Sequence, residues 1–159
     1  MHGDGWGIAF FEGRGVRVFL DPAASCRSPV AELVRQYPIR SLNVIAHIRK
    51  ATQGVVSLEN THPFQRELWG RYWVFAHNGD LKDYAPRLHG NFRPVGDTDS
   101  EQAFCWLLQE LAKSHAGVPS VDELTLTLRG AGAAHCGARH LQLFAVQRPG
   151  AVGPRIHPA

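Results

Sequence analysis

Residues 72–80 read YWVFAHNGD, a strongly apolar segment that ends abruptly at a polar turn. Side chains of a strand alternate between its two faces, so Trp73 and Phe75 share one face while Val74 and Ala76 share the other. Neither face is polar enough to lie against water. The pattern therefore predicts a strand that is buried on both sides and lies at the centre of the fold.

Asn78 and Gly79, which end this segment, allow two interpretations. The pair readily adopts positive φ and can turn the chain sharply. By itself the dipeptide favours a hairpin turn between two strands. The same turn could instead leave backbone N–H groups pointing outward, where they would bind an anion.

Length and composition predict one soluble globular domain, because 159 residues with 44% hydrophobic content can bury a core. No apolar run approaches membrane-spanning length, and residues 1–4 do not resemble a signal peptide, so we expect a cytoplasmic protein with no membrane partner. Cys26, Cys105 and Cys136 lack C-x-x-C spacing, which disfavours a disulfide framework or a zinc site. The net charge of +3 comes from dispersed Lys and Arg residues, which disfavours a nucleic-acid partner.

The segments before the central strand predict a hairpin, a helix and a further strand. Residues 8–11 and 16–20 form apolar strands joined by a glycine-containing turn. Ser28 and Pro29 resemble an N-cap and a first-turn proline, and they open a short surface helix that Pro38 ends. Residues 42–49 read LNVIAHIR, a strand that looks buried.

Arg49 places a cation at the end of this second strand, where it needs either a carboxylate partner or a ligand. The residues alone leave that choice open. Residues 51–70 are expected to be irregular, and long irregular loops beside a sheet often carry function.

The most secure helix begins after residue 97. Thr98 and Glu101 match a T-x-x-E capping box, and apolar residues recur behind them at helical spacing. Asp99 lies in the first turn, where a negative charge is favourable to the helix dipole. Good capping is therefore sufficient to explain Asp99 on local grounds.

Four motifs taken together resemble the class II glutamine amidotransferases, which are N-terminal-nucleophile hydrolases: AHIR (residues 46–49), NTHPF (60–64), HNG (77–79) and GDTDSE (96–101). Three further segments are similar to the small stand-alone YafJ-like branch: DGWGI (4–8), ELWG (67–70) and NFRPVG (91–96). The resemblance implies an α+β fold, a four-layer αββα sandwich, incomplete here. It also implies a small-molecule substrate, glutamine or a γ-glutamyl amide, and no cofactor or metal.

The resemblance assigns a role to each site residue. Asn78, through its side-chain amide, and Gly79, through its backbone N–H, match the pair that stabilises the oxyanion. Arg49 matches the residue that binds the substrate's α-carboxylate, a task suited to a planar guanidinium. Asp99 matches the partner of the α-amino group. Thr52 and His62 also occupy motif positions, and we expect them to shape the pocket.

The sequence departs from the family at both ends. The family's nucleophile is an N-terminal cysteine, but residue 2 is His2, and DGWGI normally lies further inside the chain, so we expect the first strand and the nucleophile to be missing. We expect residues 1–128 to be a partial amidotransferase domain and residues 129–159 an aberrant tail. Read one nucleotide forward, the codons of residues 139–158 can encode GTFNFLLSNGRALWAHASTR, which resembles the family's continuation and indicates an out-of-frame tail.

These observations leave competing functions. The leading hypothesis is an amidotransferase-type glutaminase domain, inactive as printed because it lacks the cysteine. The alternative is a binding module that captures glutamine through Arg49 and Asp99 without hydrolysing it. A metal-dependent hydrolase built on His47, His62 and His77 is a weaker hypothesis, because their spacing does not match known metal motifs.

Overall fold

The computed structural model describes residues 3–50, 55–81, 84–135 and 141–145, with side chains described only as far as residue 130. Its elements confirm an α+β fold with two three-stranded antiparallel sheets. In chain order they are β1 (Trp6–Glu12), β2 (Gly15–Asp21), α1 (Pro29–Gln36), β3 (Val44–Ile48), β4 (Phe64–Leu68), β5 (Arg71–His77), α2 (Asp99–Ser114), α3 (Val121–His135) and β6 (Leu141–Ala145). None of the helices described reaches the length and apolarity that crossing a membrane would need.

Strand β5 is the centre of the second sheet, whose order is β4-β5-β6. Trp73 and Phe75 pack on one face beneath α2 and α3, where the rings of Phe75 and Phe104 stack with centroids 5.2 Å apart. Val74 and Ala76 pack on the other face against the first sheet. The prediction of a strand buried on both sides is therefore confirmed.

The first sheet has the order β2-β1-β3, and the predicted hairpin of β1 and β2 is confirmed. Its inner face presents Ala9 and Ile45, which are paired across β1 and β3, to the second sheet. The expectation that β3 is a fully buried strand is wrong. Val44 is 45% exposed and Ile48 is 59% exposed, because they lie on the opposite face of β3 from Ile45, which packs in the core.

Strand β4 corrects the expectation that residues 51–70 are irregular. Phe64 to Leu68 pairs antiparallel with β5, and the connecting turn uses positive φ at Trp69 and Gly70. The strand was missed because the polar side chains at 65–67 conceal its alternation. One of them, Arg66, binds the buried Glu101 of α2 instead of facing water.

The two predicted helix starts are confirmed. The Ser28 side chain accepts a hydrogen bond from the Ala31 N–H at the start of α1, which has no buried residue. The Thr98 side chain accepts from the Glu101 N–H at the start of α2. The reciprocal half of the capping box differs from expectation, because the Glu101 carboxylate accepts from the Gly96 N–H and from Arg66.

The interpretation of Asn78-Gly79 as a hairpin turn is wrong. Residues 78–81 and 84–98, the part of this connection that the structure describes, contain no strand, and α2 is the next element. Gly79 has φ of +153°, so the turn does use a conformation that favours glycine. Of the predicted tail, α3 extends through His135 and β6 pairs with β5, but most of residues 129–159 lie outside the described residues, and the out-of-frame origin stays a prediction.

Candidate functional site

His77 is the last residue of β5, and it is fixed in place at both its backbone and its ring. The Nε2 atom of His47 lies 3.1 Å from the carbonyl oxygen of His77. The Nδ1 atom of His77 lies 3.0 Å from the Ser100 hydroxyl oxygen. Directly after this buried histidine, Asn78 and Gly79 are exposed at the surface. The two predicted oxyanion-stabilising residues therefore follow a rigidly held residue and are accessible to a ligand.

Asp99 lies half-buried at the start of α2 and contacts the same turn. One carboxylate oxygen accepts a hydrogen bond of 2.6 Å from the Leu81 N–H, two residues beyond Gly79. The other accepts from the N–H and the hydroxyl of Ser100. Asp99 is therefore close to the Asn78-Gly79 turn, although the residues are twenty positions apart in sequence.

Arg49 is buried immediately after β3, with 4% of its surface exposed. Its backbone is paired with the start of β1, because the Arg49 N–H donates to the Gly5 carbonyl at 2.8 Å. Its guanidinium Nη1 donates to the Val55 carbonyl at 3.1 Å. Thr52, the other predicted pocket residue in this segment, lies outside the described residues.

His62 is buried between an imidazole and a phenyl ring. Its ring centroid is 4.4 Å from that of His47 and 4.5 Å from that of Phe64. The pKa of His62 is lowered to about 2, mainly by burial and in addition by the nearby His47, His77 and Arg49. Neither ring nitrogen of His62 has a hydrogen-bond partner among the described residues. His62 is therefore a neutral ring that lies close to Arg49 and to His77, the residue before the Asn78-Gly79 turn.

A second set of hydrogen bonds joins the loop before β4 to the loop before α2. The buried Asn60 donates through Nδ2 to the Asp97 carboxylate at 2.6 Å and accepts from the Asp97 N–H at 3.0 Å. Gly96 lies so close that a Cβ atom there would be 2.1 Å from the Asn60 Oδ1. This contact brings NTHPF and GDTDSE, which are far apart in sequence, to one place.

The structure thus brings Asn78, Gly79 and Asp99 together around His77, with Arg49 and His62 near enough to influence each other electrostatically. Sequence reasoning assigned no role to Asn60 or Ser100 and considered His47 only as a candidate metal ligand, although each was part of a motif. Two features of the sequence could have drawn attention to them. His47 is a polar side chain inside an otherwise apolar strand, and Ser100 is a polar residue in the first turn of a helix.

Among the residues that the structure describes, no group of three or more His, Cys, Asp and Glu side chains is arranged to hold a metal ion. Two of the three cysteines can be placed: Cys26 is exposed, and Cys105 is buried in α2. Burial raises the pKa of the Cys105 thiol. A surface cavity lies elsewhere, between β2, β4 and Glu101, and none of the predicted site residues lines it.

Comparison with known families shows where these features belong. The family model of the class II glutamine amidotransferases matches residues 1–141. The chain belongs to this family. Among the class II glutamine amidotransferases and their relatives, a putative glutamine amidotransferase YafJ of Escherichia coli K12 is 60% identical over 118 residues. A putative glutamine amidotransferase of Haemophilus influenzae is 57% identical over 123 residues.

These matches cover 74% and 77% of the present chain, but 46% and 42% of the two relatives. A solved structure, that of a predicted glutamine amidotransferase from Pseudomonas aeruginosa PA01, is 44% identical and superposes with a TM-score of 0.71. That match covers 90% of this chain and 56% of the other. The chain therefore spans about half the length of the amidotransferase relatives that it matches.

Proposed function

We propose that this domain recognises free glutamine or a γ-glutamyl compound, and that the chain as printed binds it without hydrolysing it. Membership in the class II glutamine amidotransferases supports the substrate class. The observation that carries the proposal is the arrangement around His77. The Asn78-Gly79 turn that follows His77 is exposed. The Asp99 carboxylate accepts from the Leu81 N–H just beyond this turn and is connected to the His77 ring through Ser100.

Each end of an amino acid has a suitable group in this arrangement. The Arg49 guanidinium can hold a carboxylate with parallel hydrogen bonds, and its burial strengthens that interaction. The Asp99 carboxylate can accept from an ammonium group beside the bonds it already makes, since a carboxylate offers about four lone-pair sites. Together, the two charges select a free amino acid over a side chain within a protein.

The carboxamide end would lie at the oxyanion turn. The Asn78 side-chain amide and the Gly79 N–H are donors suited to the carbonyl oxygen of the substrate and to the negative charge that develops on it. In the family, a cysteine thiolate attacks that carbonyl, forms a thioester and releases ammonia, and water then resolves the thioester. Asn78 and Gly79 would stabilise charge in both steps.

The absence of hydrolysis is proposed from the cysteines of the printed chain. Of the cysteines that the structure describes, Cys26 lies in a short turn before α1, and the Cys105 thiol is inside the helical core with a raised pKa. A thiol that resists ionisation is a poor nucleophile. The finer fold that we propose is the αββα sandwich of the N-terminal-nucleophile hydrolases, supported by two sheets packed face to face and by α2 and α3 over the second sheet.

Calorimetry with L-glutamine, combined with an ammonia assay, tests the proposal. We expect one binding event and no ammonia above background. Ammonia release would contradict the proposed inactivity, and the absence of binding by both glutamine and γ-glutamyl amides would contradict the substrate class.

Two charge substitutions test the recognition of each end. Arg49→Met and Asp99→Asn should each weaken glutamine binding about tenfold to a hundredfold, as expected for the loss of a charge-assisted hydrogen bond. N-acetyl-L-glutamine lacks the ammonium group, so it should bind the wild type weakly and lose little further affinity in Asp99→Asn. Arg35→Gln, which breaks an exposed ion pair with Glu32, is the matched control and should leave binding unchanged.

A further inference from the structure

The residue before the oxyanion turn is contacted from two different layers of the fold. His47 belongs to β3 of the first sheet and lies 3.1 Å, through Nε2, from the His77 carbonyl oxygen. Ser100 belongs to the first turn of α2 and lies 3.0 Å, through its hydroxyl, from the His77 Nδ1. His77 and Ser100 are both buried, so water does not compete for the contact between them.

Hydrogen-bonding rules determine the direction of these contacts. A carbonyl oxygen can only accept, so the His47 Nε2 carries the proton that it donates to His77. The Asp99 carboxylate likewise only accepts, and its Oδ1 lies 3.1 Å from the Ser100 hydroxyl. The single hydroxyl proton of Ser100 therefore goes to Asp99, and the Ser100 oxygen accepts from a protonated His77 Nδ1. Burial lowers the pKa of His47, which favours the neutral ring, and a neutral ring can carry its one proton on Nε2.

These two contacts set the orientation of the turn. A trans peptide unit is planar, with its C=O and N–H pointing in opposite directions. Because His47 holds the His77 carbonyl toward the first sheet, the Asn78 N–H of the same peptide unit points away from that sheet. The His77 ring in turn supports Gly79, since a Cβ atom at Gly79 would lie 3.0 Å from the ring Nε2.

We propose that His47 and Ser100 are positioning residues that hold the Asn78-Gly79 turn in the geometry needed to bind the substrate's carbonyl oxygen. Neither residue has to touch the substrate, because both act through His77. The proposal rests on the proposed function, since it assigns the machinery that orients the donors of that site. It also links the two ends of the substrate: Ser100 bonds to the Asp99 carboxylate and to the ring beneath Gly79.

The test compares substitutions at the two positions by NMR of the 15N-labelled 159-residue chain. Ser100→Ala removes the hydroxyl and retains the backbone N–H that binds Asp99. His47→Leu removes the donor, whereas His47→Gln keeps an N–H donor at a similar distance. Ser114→Ala is the matched control, because Ser114 is exposed at the other end of the same helix. Circular dichroism first establishes that each variant is folded.

Without ligand, we expect Ser100→Ala and His47→Leu to shift the Gly79 amide resonance and to lower its NMR order parameter, because a turn that loses one of its two anchors moves more freely. His47→Gln should restore most of both effects, and Ser114→Ala should show neither. An unchanged Gly79 resonance and order parameter in folded Ser100→Ala, or in folded His47→Leu, would overturn the proposal.

Glutamine titrations of the same samples separate this proposal from the proposed function. We expect the dissociation constant to rise about tenfold in Ser100→Ala and to remain within about threefold of the wild type in His47→Gln. If the wild type does not bind glutamine, the substrate assignment fails, while the ligand-free comparison still decides whether His47 and Ser100 position the turn.

Discussion

Replacement of His62 by Phe should weaken the dependence of stability on pH. The folded state holds the pKa of this ring at about 2 because the ring is buried, whereas the unfolded ring titrates near 6.5. As the pH falls below about 6.5, the unfolded state takes up a proton that the folded state does not, so the free energy of unfolding decreases. Between about pH 7.5 and about pH 5 this one ring should account for a loss of about 2 kcal/mol.

The measurement is urea unfolding at several pH values across that range. His47 contributes in the same direction, because burial also lowers its pKa, and other groups titrate as well. The informative quantity is therefore the difference in slope between the wild type and His62→Phe, which should be about 2 kcal/mol over the interval. Phe104→Leu is the control: it destabilises the core without removing a titrating group, so it should keep the wild-type slope. An equal slope in His62→Phe and the wild type would refute the reasoning.

Three further substitutions test the packing that supports the site, each by chemical denaturation. Gly7→Ala would place its Cβ 2.2 Å from the His62 carbonyl oxygen and should destabilise the chain by about 3 kcal/mol or more. Gly117→Ala is the control: its Cβ would have no atom within 4 Å, so the substitution should be nearly neutral. Glu101→Gln leaves Arg66 without its buried carboxylate partner and should lower the free energy of unfolding by about 2 to 3 kcal/mol. Glu32→Gln, which breaks an exposed ion pair with Arg35, should have little measurable effect on stability. Equal losses of stability in the two variants would contradict the expectation. Thr98→Ala removes the N-cap of α2 and should cost about 1 kcal/mol; no loss would show that the cap is not needed.

The central strand and the helix starts could be predicted because their causes are local. Alternation in β5 and the side chains of Ser28 and Thr98 are visible within a few residues of sequence. The errors arose where a distant contact decides the outcome. Gln65, Arg66 and Glu67 look like loop residues until Arg66 is seen to bind Glu101, thirty-five positions later.

The site shows the same division between local and distant causes. The motifs identified Asn78, Gly79, Arg49 and Asp99 as candidates, and the structure places Asp99 beside the turn through Leu81. The sequence could not indicate how the turn is held. The hydrogen bond from His47 of β3 to the His77 carbonyl at the end of β5 joins the two sheets. It depends on how the sheets pack together, and the spacing of residues in the sequence does not indicate that packing.

That packing also determines how the proposed donor turn at the end of β5 is held. An isolated Asn-Gly turn is flexible, and ordering it would reduce the affinity for any ligand that required one conformation. Here the turn loses its conformational entropy when the chain folds, before any ligand binds, because His77 is anchored to β3 by His47 and to α2 by Ser100. The apolar contacts of Val74 and Ala76 with Ala9 and Ile45 hold the two sheets at the distance at which the His47 bond can form. The position of the proposed donor turn therefore depends on core packing, and we expect changes in the core between the sheets to alter ligand binding even where no site residue is replaced.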